Sequence, residues 1–334
     1  MSAPPGHQQT ILVADDNEAN RDLLSALLSA EGYDVICAAD GQQALKQMDS
    51  GSIDLALLDV VMPRPTGFEI CQAMKSKPQT RLIPVVLLTS LNDDADRIHG
   101  IMCGADDFLN KPVNKHELLA RVHSLLRLKQ FTDELDNAES VLFSLALSIE
   151  AKDPYTEGHC DRLSKYSVAL GEKLGLSEEL CVGLRRGGLV HDIGKLAVPE
   201  HILLKPGPLT AEERKIMEQH TIVGERICAP LRSFRHVLPI IRHHHEKQDG
   251  SGYPDGLKGE QIPLTARILQ VADIFDALTT DRPYRKALPP AKAFAIMREE
   301  AERGWWDGSL IDQLELLVAE SAPQRADLGT RNEQ

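Results

Sequence analysis

The sequence predicts a multidomain protein: a doubly wound α/β domain with five parallel strands, a connecting helix and then an all-α helical bundle. Three observations support this prediction. The chain has 334 residues, about twice the usual length of one domain, so two hydrophobic cores are expected. Short apolar runs alternate with amphipathic stretches up to residue 126. Helical periodicity then continues almost throughout the second half.

Five apolar runs are the predicted strands of the first domain. Stretches with helical spacing of apolar residues separate them, which indicates a parallel sheet covered by helices on both faces. The predicted strands are 11–14, 35–37, 55–58, 85–88 and 108–109, and the predicted helices are 20–28, 42–48, 67–74, 94–102 and 115–126.

Polar residues follow these strands at their carboxyl ends, which is where doubly wound sheets bind ligands. Repulsion among three carboxylates would be relieved by a hard cation such as Mg²⁺, and a lysine would neutralise further negative charge. An aspartate in such a crevice can accept a phosphoryl group. A simpler alternative is that the acids only cap strand ends. The residues are Asp15 and Asp16 after the first strand, Asp59 after the third, Thr89 after the fourth and Lys111 after the fifth.

Residues 10–127 resemble the receiver domain of two-component response regulators. The motifs that carry the resemblance are Val13-Ala14-Asp15-Asp16, Leu58-Asp59-Val60-Val61-Met62-Pro63, Leu88-Thr89-Ser90 and Phe108-Leu109-Asn110-Lys111-Pro112. The loop Arg64-Pro65-Thr66 departs from the commoner Met-Asp-Gly pattern without removing a chemical group. The resemblance implies a sensor histidine kinase as partner. It also implies residue roles: Asp59 as phosphoacceptor, Asp15 and Asp16 as Mg²⁺ ligands, Lys111 as a phosphoryl contact, and Thr89 with Phe108 as the switch relay.

A narrow apolar stripe predicts a coiled-coil linker helix over 128–150 and, with it, a parallel homodimer contact. Three heptads are marginal in isolation, so a single helix leaning on one of its own domains remains the alternative. Residues 141–151 can equally be the first helix of the C-terminal domain. The stripe consists of Leu128, Phe131, Leu135, Ala138, Leu142, Leu145 and Ile149.

The second domain is predicted to be all-α and to hold a metal site. Eight of the twelve histidines fall between 159 and 245, and imidazole and carboxylate groups together suit iron, manganese and zinc. His191-Asp192 offers a carboxylate that can bridge two ions. Adjacent His244 and His245 diverge by about 100° on a helix, so both reach metal only if the site is broad or the backbone is irregular. The predicted helices are 159–174, 178–190, 211–227, 237–245, 264–278 and 290–303, with breaks at 205–208 and 249–256.

Residues 141–320 resemble the HD-GYP branch of the HD phosphohydrolases, which hydrolyse the bacterial second messenger cyclic di-GMP. The motifs are His191-Asp192-Ile193-Gly194-Lys195, the segment 204–210, His244-His245-Glu246 with Asp249-Gly250-Ser251-Gly252-Tyr253-Pro254, Asp273-Ile274-Phe275-Asp276, and the segment 281–285. The resemblance implies that the metal ligands are His159, His191, Asp192, His220, His244, His245 and Asp273, with His243 unassigned.

The same resemblance implies the remaining catalytic groups. Asp192 and Lys195 are the implied catalytic residues, Lys195, Arg282 and Arg285 the phosphate contacts, and Tyr253 part of a loop that shapes the substrate pocket or meets partner proteins. Proteins with a diguanylate cyclase domain are a further candidate partner. Metal ions would activate water for attack on phosphorus.

Two metals are expected in this domain. Some relatives place a glutamate four residues before the first ligand histidine, where it supports a third metal, but here that position is Tyr155. Glu157 is not expected to replace it, since it points about 200° around a helix from His159. Iron is favoured, and manganese or zinc would suit the same ligands. Whether the product is pGpG or GMP is left open.

Composition excludes several classes of function. A net charge of −13 argues against a DNA-binding or anionic-membrane surface. Six cysteines without a regular framework fit a reducing cytoplasm, and no leader or apolar span is evident. The alternatives are an HD phosphohydrolase acting on (p)ppGpp or deoxynucleoside triphosphates, and a catalytically silent signalling adaptor. The expected boundaries are a disordered 1–9, the receiver at 10–127, the linker at 128–150, the HD-GYP domain at 141–320 and a tail at 321–334.

Overall fold

A computed structural model of the chain describes residues 8–50, 53–90, 94–152, 158–281 and 285–321. The chain divides into two compact units, Met1–Ala138 and Glu139–Gln334. Across the described segments, every helix is too short or too polar to cross a membrane. Of the predicted disordered segment 1–9, residues 1–7 lie outside the described residues, and so do residues 322–334 of the predicted tail 321–334.

The first unit is the predicted five-stranded parallel sheet, with strand order β2-β1-β3-β4-β5. This part of the fold prediction is confirmed. The strands are β1 (Thr10–Ala14), β2 (Asp34–Ala38), β3 (Leu55–Asp59), β4 (Val85–Thr89) and β5 (Asp107–Asn110). The helices between them are α1 (Glu18–Ser29), α2 (Gly41–Ser50), α3 (Gly67–Ser76) and α4 (Asp94–Met102).

Burial on both faces explains why the strands read as continuous apolar runs. Every residue of β3 and β4 is buried. Alternate side chains enter two separate cores because successive side chains of a strand point to opposite faces. In β3, Ala56 and Leu58 join one core, whereas Leu55 and Leu57 join the other. The helices that cover each face therefore position the strand ends that carry the acidic residues.

The last helix of the first unit continues into the second as α5 (Lys115–Lys152), a single helix of 38 residues. It contains the whole of the predicted linker. Within the linker, Leu128, Phe131 and Leu135 are 51–62% exposed, whereas Leu142 packs against a core of the second unit and Ile149 is buried in it. The apolar stripe therefore has an open N-terminal part and a partly covered C-terminal part, in which Leu145 is 39% exposed.

The second unit is all-α, as predicted. Helix α12 (Leu264–Thr279) contributes five of the buried apolar side chains of the main core of this unit. The helices of the second unit are α6 (His159–Lys173), α7 (Glu178–Val190), α8 (Glu200–Leu203), α9 (Ala211–Glu218), α10 (His220–Cys228), α11 (Leu238–His243), α12 (Leu264–Thr279), α13 (Pro290–Glu302) and α14 (Gly308–Ser321).

Three features of this unit differ from the predicted helices. The helix predicted over 211–227 is interrupted at Gln219, and the helix predicted over 237–245 ends at His243. Both breaks lie beside ligand-type histidines, where local backbone geometry departs from the apolar periodicity that predicted the helices. The short α8 and the C-terminal α14 were not predicted, although Leu310, Ile311 and Leu314 form a buried stripe on α14.

Candidate functional sites

Strand ends bring Asp15, Asp59 and Lys111 into one crevice of the first unit. The Lys111 ammonium lies 2.7 Å from Asp15 Oδ2 and 2.8 Å from Asp59 Oδ2. Asp16 belongs to the same group, since one carboxylate oxygen from each of the three aspartates lies within 4.8 Å of the others. Two buried carboxylates and an exposed third, balanced by a single lysine, form a crevice suited to a hard divalent cation.

The environment of Asp59 opposes its ionisation. Burial raises the pKa of Asp59, and the nearby Asp15 raises it further, although Lys111 acts in the opposite direction. The backbone N–H of Val61 donates to Asp59 Oδ1 over 3.3 Å. A cation in the crevice would offset this charge, and Lys111 would balance part of the negative charge that an added phosphoryl group brings.

The two predicted switch residues occupy neighbouring strands. Thr89 is the buried last residue of β4, and Phe108 lies on β5 and packs against the core. The Phe108 ring rests on Gly100, where even an added Cβ would collide with it. The close fit fixes the ring position seen here.

In the second unit, Asp192, His220, His244 and His245 form a ligand-type cluster. One ligand atom from each lies within 4.8 Å of the others. Irregular backbone makes this possible. Helix α11 ends at His243, so His244 and His245 lie in a turn, with ring centroids 4.1 Å apart. This is the irregular backbone that two adjacent histidine ligands require.

Three histidines are oriented by the same local device. The Nδ1 atom of each lies against the backbone carbonyl three residues earlier: His191 against Gly188 at 3.3 Å, His220 against Met217 at 2.7 Å and His244 against Ile241 at 2.9 Å. A carbonyl oxygen only accepts hydrogen bonds, so Nδ1 carries the proton and Nε2 keeps its lone pair. Each ring therefore presents a metal-binding nitrogen to the cluster.

Within this cluster, a carboxylate oxygen of Asp192 lies close to the Nε2 lone pairs of His220 and His244, and all three atoms are hydrogen-bond acceptors. Asp192 Oδ1 is buried with no hydrogen-bond partner among the described residues. It lies 3.3 Å from His220 Nε2 and 3.8 Å from His244 Nε2, and those two nitrogens are 3.5 Å apart. Two nitrogens bound to one tetrahedral ion would be about 3.4 Å apart. The donor set therefore fits a divalent cation.

The surroundings of this cluster shift the pKa values of its side chains towards the protonation states that bind metal ions. Burial opposes the charge on Asp192, but Lys195 and His191 hold its pKa well below the usual value. Burial lowers the pKa of His220 to about 4 and holds that of His245 well below its usual value. Near neutral pH the carboxylate is therefore charged and these two imidazoles are neutral, which are the forms that bind metals.

The other oxygen of Asp192 lies beside His191 and Lys195. Oδ2 lies 3.4 Å from His191 Nε2 and 2.5 Å from the Lys195 ammonium. The His159 ring lies 5.7 Å from the His191 ring, and His159 Nε2 lies 3.5 Å from Asp273 Oδ1. Of the seven ligands implied by the resemblance, four form the cluster around Asp192 Oδ1. His191 lies beside Asp192 Oδ2, and His159 with its neighbour Asp273 lies beside His191.

Asp276, which the sequence analysis quoted in a motif without assigning it a role, is buried beside His159. Its Oδ2 lies 2.7 Å from His159 Nδ1, and both of its oxygens accept from Arg162, over 2.6 and 3.0 Å. Although burial acts to lower it, the carboxylates of Asp276 and Asp273 raise the pKa of His159 above its usual value. The sequence feature that could have indicated this role is an aspartate on the buried face of α12, where most other buried residues are apolar.

Glu246 is the other motif residue to which the sequence analysis assigned no role. Its carboxylate is fully buried and accepts three consecutive backbone N–H groups, from Asp255, Gly256 and Leu257, over 2.7–3.1 Å. These bonds close the loop that carries Tyr253, whose ring stacks on His245 with centroids 4.8 Å apart. Tyr253 is thus a wall of the cluster.

The sequence matches the response regulator receiver domain family over residues 11–123 and the HD domain family over residues 144–310. It is 36% identical over 328 residues to the cyclic di-GMP phosphodiesterase response regulator RpfG of Xanthomonas campestris, covering 91% of this chain and 86% of the relative. The chain belongs to the response regulators that join a receiver to an HD domain.

Two further relatives bear on this receiver and HD-domain protein. A cyclic di-GMP phosphodiesterase of Thermotoga maritima is 36% identical over 316 residues, which is 85% of this chain and 84% of the relative. The 3'3'-cGAMP-specific phosphodiesterase 3 of Vibrio cholerae is 43% identical over 167 residues, which is 49% of this chain and 36% of the relative. Both names describe phosphodiesterases. The HD domain is a metal-dependent hydrolase and implies divalent metal binding.

The remaining predicted residues of the HD domain have varied positions. Arg285 is half-buried and donates to the backbone carbonyl of Ala277. His243, the unassigned histidine, lies 3.5 Å from Asp255. Arg282, Tyr155 and Glu157 lie outside the described residues, so their predicted roles stay predictions.

Proposed function

We propose that this protein is a response regulator in which phosphorylation of Asp59 controls a metal-dependent phosphodiesterase that hydrolyses cyclic di-GMP. One observation carries the proposal: the two oxygens of Asp192 lie beside different histidines, Oδ1 beside His220 and Oδ2 beside His191, so a single carboxylate could serve two ions. Such a pair of ions suits phosphodiester hydrolysis. The full-length similarity to cyclic di-GMP phosphodiesterases supports the choice of substrate.

Two divalent ions are proposed in the HD domain, with iron favoured because mixed imidazole and carboxylate ligands suit it, as they also suit manganese and zinc. When bound, the ions activate water for attack on phosphorus. His220, His244, His245 and Asp192 would hold one ion. His159, His191, Asp273 and Asp192 would hold the other.

Lys195 is the proposed phosphate contact nearest to the ions. Its ammonium lies 2.5 Å from Asp192 Oδ2, so it can stabilise negative charge that develops on a phosphodiester beside that carboxylate. Arg285 and Arg282 are proposed as further phosphate contacts, and Tyr253 as an aromatic wall for a guanine base. Burial raises the pKa of Tyr253, so the phenol stays protonated and able to donate.

In the receiver, Asp59 is the proposed phosphoacceptor, with Mg²⁺ held by Asp15 and Asp16 and the phosphoryl group contacted by Lys111. Thr89 and Phe108 would relay the change. The receiver domain implies a kinase partner, for which we propose a sensor histidine kinase. Because both that kinase's phosphotransfer and cyclic di-GMP signalling are cytoplasmic processes, the cytoplasm is the proposed location.

Helix α5 is the proposed link between phosphorylation and catalysis. Its exposed residues Leu128, Phe131 and Leu135 would form a parallel coiled coil in a homodimer. Its C-terminal turns line a pocket in the second unit, so a change in the dimer contact would alter access to the ligands there. The pocket is lined from α5 by Ala146, Ile149 and Glu150, and from the HD domain by residues that include His159, His191, Asp192 and Lys195. Proteins with a diguanylate cyclase domain are proposed as partners of the Tyr253 loop.

The deciding experiment is a hydrolysis assay on the purified full-length chain, loaded anaerobically with Fe²⁺ or Mn²⁺. Cyclic di-GMP, 3'3'-cGAMP and ppGpp are supplied separately, and pGpG and GMP are separated by chromatography. We expect turnover of cyclic di-GMP by the wild type and none by Asp192→Ala. Preferential turnover of 3'3'-cGAMP would reassign the substrate, turnover of ppGpp alone would indicate another HD phosphohydrolase, and no turnover by the metal-loaded chain would favour an adaptor.

A further inference from the structure

The Nδ1 atom of His159 has a different kind of hydrogen-bond partner from that of the other buried histidines. Three of those rest Nδ1 on the carbonyl three residues earlier, within their own segment. His159 is the first residue of α6, so no earlier turn of that helix precedes it. Its Nδ1 contacts the Asp276 carboxylate of α12 instead, at 2.7 Å. The orientation of this one ring therefore depends on a contact between two helices.

The contact is a four-residue arrangement with matched spacing. On α6, His159 and Arg162 are three residues apart, and on α12, Asp273 and Asp276 are three residues apart, so each pair lies on one helix face. His159 contacts both aspartates, Asp276 through Nδ1 and Asp273 through Nε2. Arg162 binds Asp276 through Nε and Nη2. Arg162 thus fixes the position of the Asp276 carboxylate, and that carboxylate in turn orients the His159 ring.

We infer that Asp276 is a positioning residue for His159, and that it controls occupancy of one of the two metal positions without binding metal itself. This inference deepens the proposed function and rests on it. A carboxylate that accepts from Nδ1 fixes the tautomer with a lone pair on Nε2 and makes that nitrogen a stronger donor. Loss of such a partner typically weakens metal binding by about 10- to 100-fold. The position formed by His220, His244 and His245 does not depend on Asp276.

A purely structural role for Asp276 is the competing explanation, because its ion pair with Arg162 joins α6 to α12. The variant Arg162→Lys separates the two roles, since it keeps the positive charge but loses the two-pronged contact with Asp276. It should lower the melting temperature and leave metal binding intact. Asp161→Asn is the matched control. It removes a carboxylate from the same helix, at an exposed ion pair with Lys165.

The test is titration of the purified full-length chain with Mn²⁺ by calorimetry, with excess Mg²⁺ present to occupy the receiver site, followed by metal analysis. Wild type, Asp161→Asn and Arg162→Lys are expected to bind two Mn²⁺ ions in the HD domain. Asp276→Asn is expected to bind the first ion normally and the second about 10- to 100-fold more weakly. If circular dichroism shows that Asp276→Asn is unfolded, Asp276→Glu replaces it, with the same expected result.

The inference is overturned if the folded Asp276 variant binds both ions as the wild type does, or loses both to the same extent. Either result would mean that Asp276 has no selective effect on His159. Failure of the proposed function is separate, because it would appear as two bound ions in the wild type without hydrolysis of cyclic di-GMP. Metal binding alone decides the role of Asp276.

Discussion

Gly252→Ala should displace the loop that carries Tyr253 and lower catalysis without removing a chemical group. A Cβ at Gly252 would lie 2.5 Å from the backbone Cα of Glu246, and closer still to the backbone nitrogen of Lys247. Backbone atoms cannot rotate away, so the loop must move by about 1 Å to restore ordinary contact. A misplacement of that size in a substrate-contacting wall typically costs about 100-fold in rate. The free energy of unfolding should fall by about 1–3 kcal/mol, as for other overpacked sites.

The assay is steady-state hydrolysis of cyclic di-GMP by the metal-loaded variant, with kcat and KM measured separately and metal content determined in parallel. Ser251→Ala is the control, because it changes the neighbouring residue of the same loop at an exposed position and adds no atom. We expect kcat/KM to fall in Gly252→Ala and to stay close to wild type in Ser251→Ala. Wild-type kcat/KM in Gly252→Ala would refute the argument that close backbone approach fixes Tyr253.

Four further predictions concern the metal cluster, the receiver and the linker. Asp192→Ala should abolish hydrolysis and lower metal content in a chain that still folds; wild-type turnover would contradict the bridging role. Asp59→Asn should not be phosphorylated by acetyl phosphate but should keep unstimulated hydrolysis, as phosphate-affinity gels and turnover would show. Leu135→Asp should shift the chain towards monomer in light scattering, whereas Glu134→Asn on the same helix should not; equal behaviour would exclude the coiled coil. After chelation abolishes hydrolysis, Mn²⁺ should restore it, and since burial lowers the pKa of His220 to about 4, its metal position should reload down to about pH 5.

Local sequence patterns were enough to predict most of the fold. The five strands of the first unit were predicted within a residue or two, because strands buried on both faces must be apolar throughout. The all-α character of the second unit follows in the same way from helical periodicity. The break at Gln219 was not predicted, since apolar spacing continues through it, and α14 was overlooked although its buried stripe is visible in the sequence.

For the candidate site, the sequence by itself determined which residue types are available: the histidines and aspartates with ligand chemistry, and the acidic residues at strand ends. These depend on side-chain chemistry and short spacing, both of which the order of residues contains. Only the tertiary structure decided how the ligands divide around Asp192, which carboxylate orients His159 and what closes the loop of Tyr253. Asp276 and Glu246 act through partners fixed by helix packing and loop closure. Such contacts join groups up to 117 residues apart in the chain, at distances that no local pattern specifies.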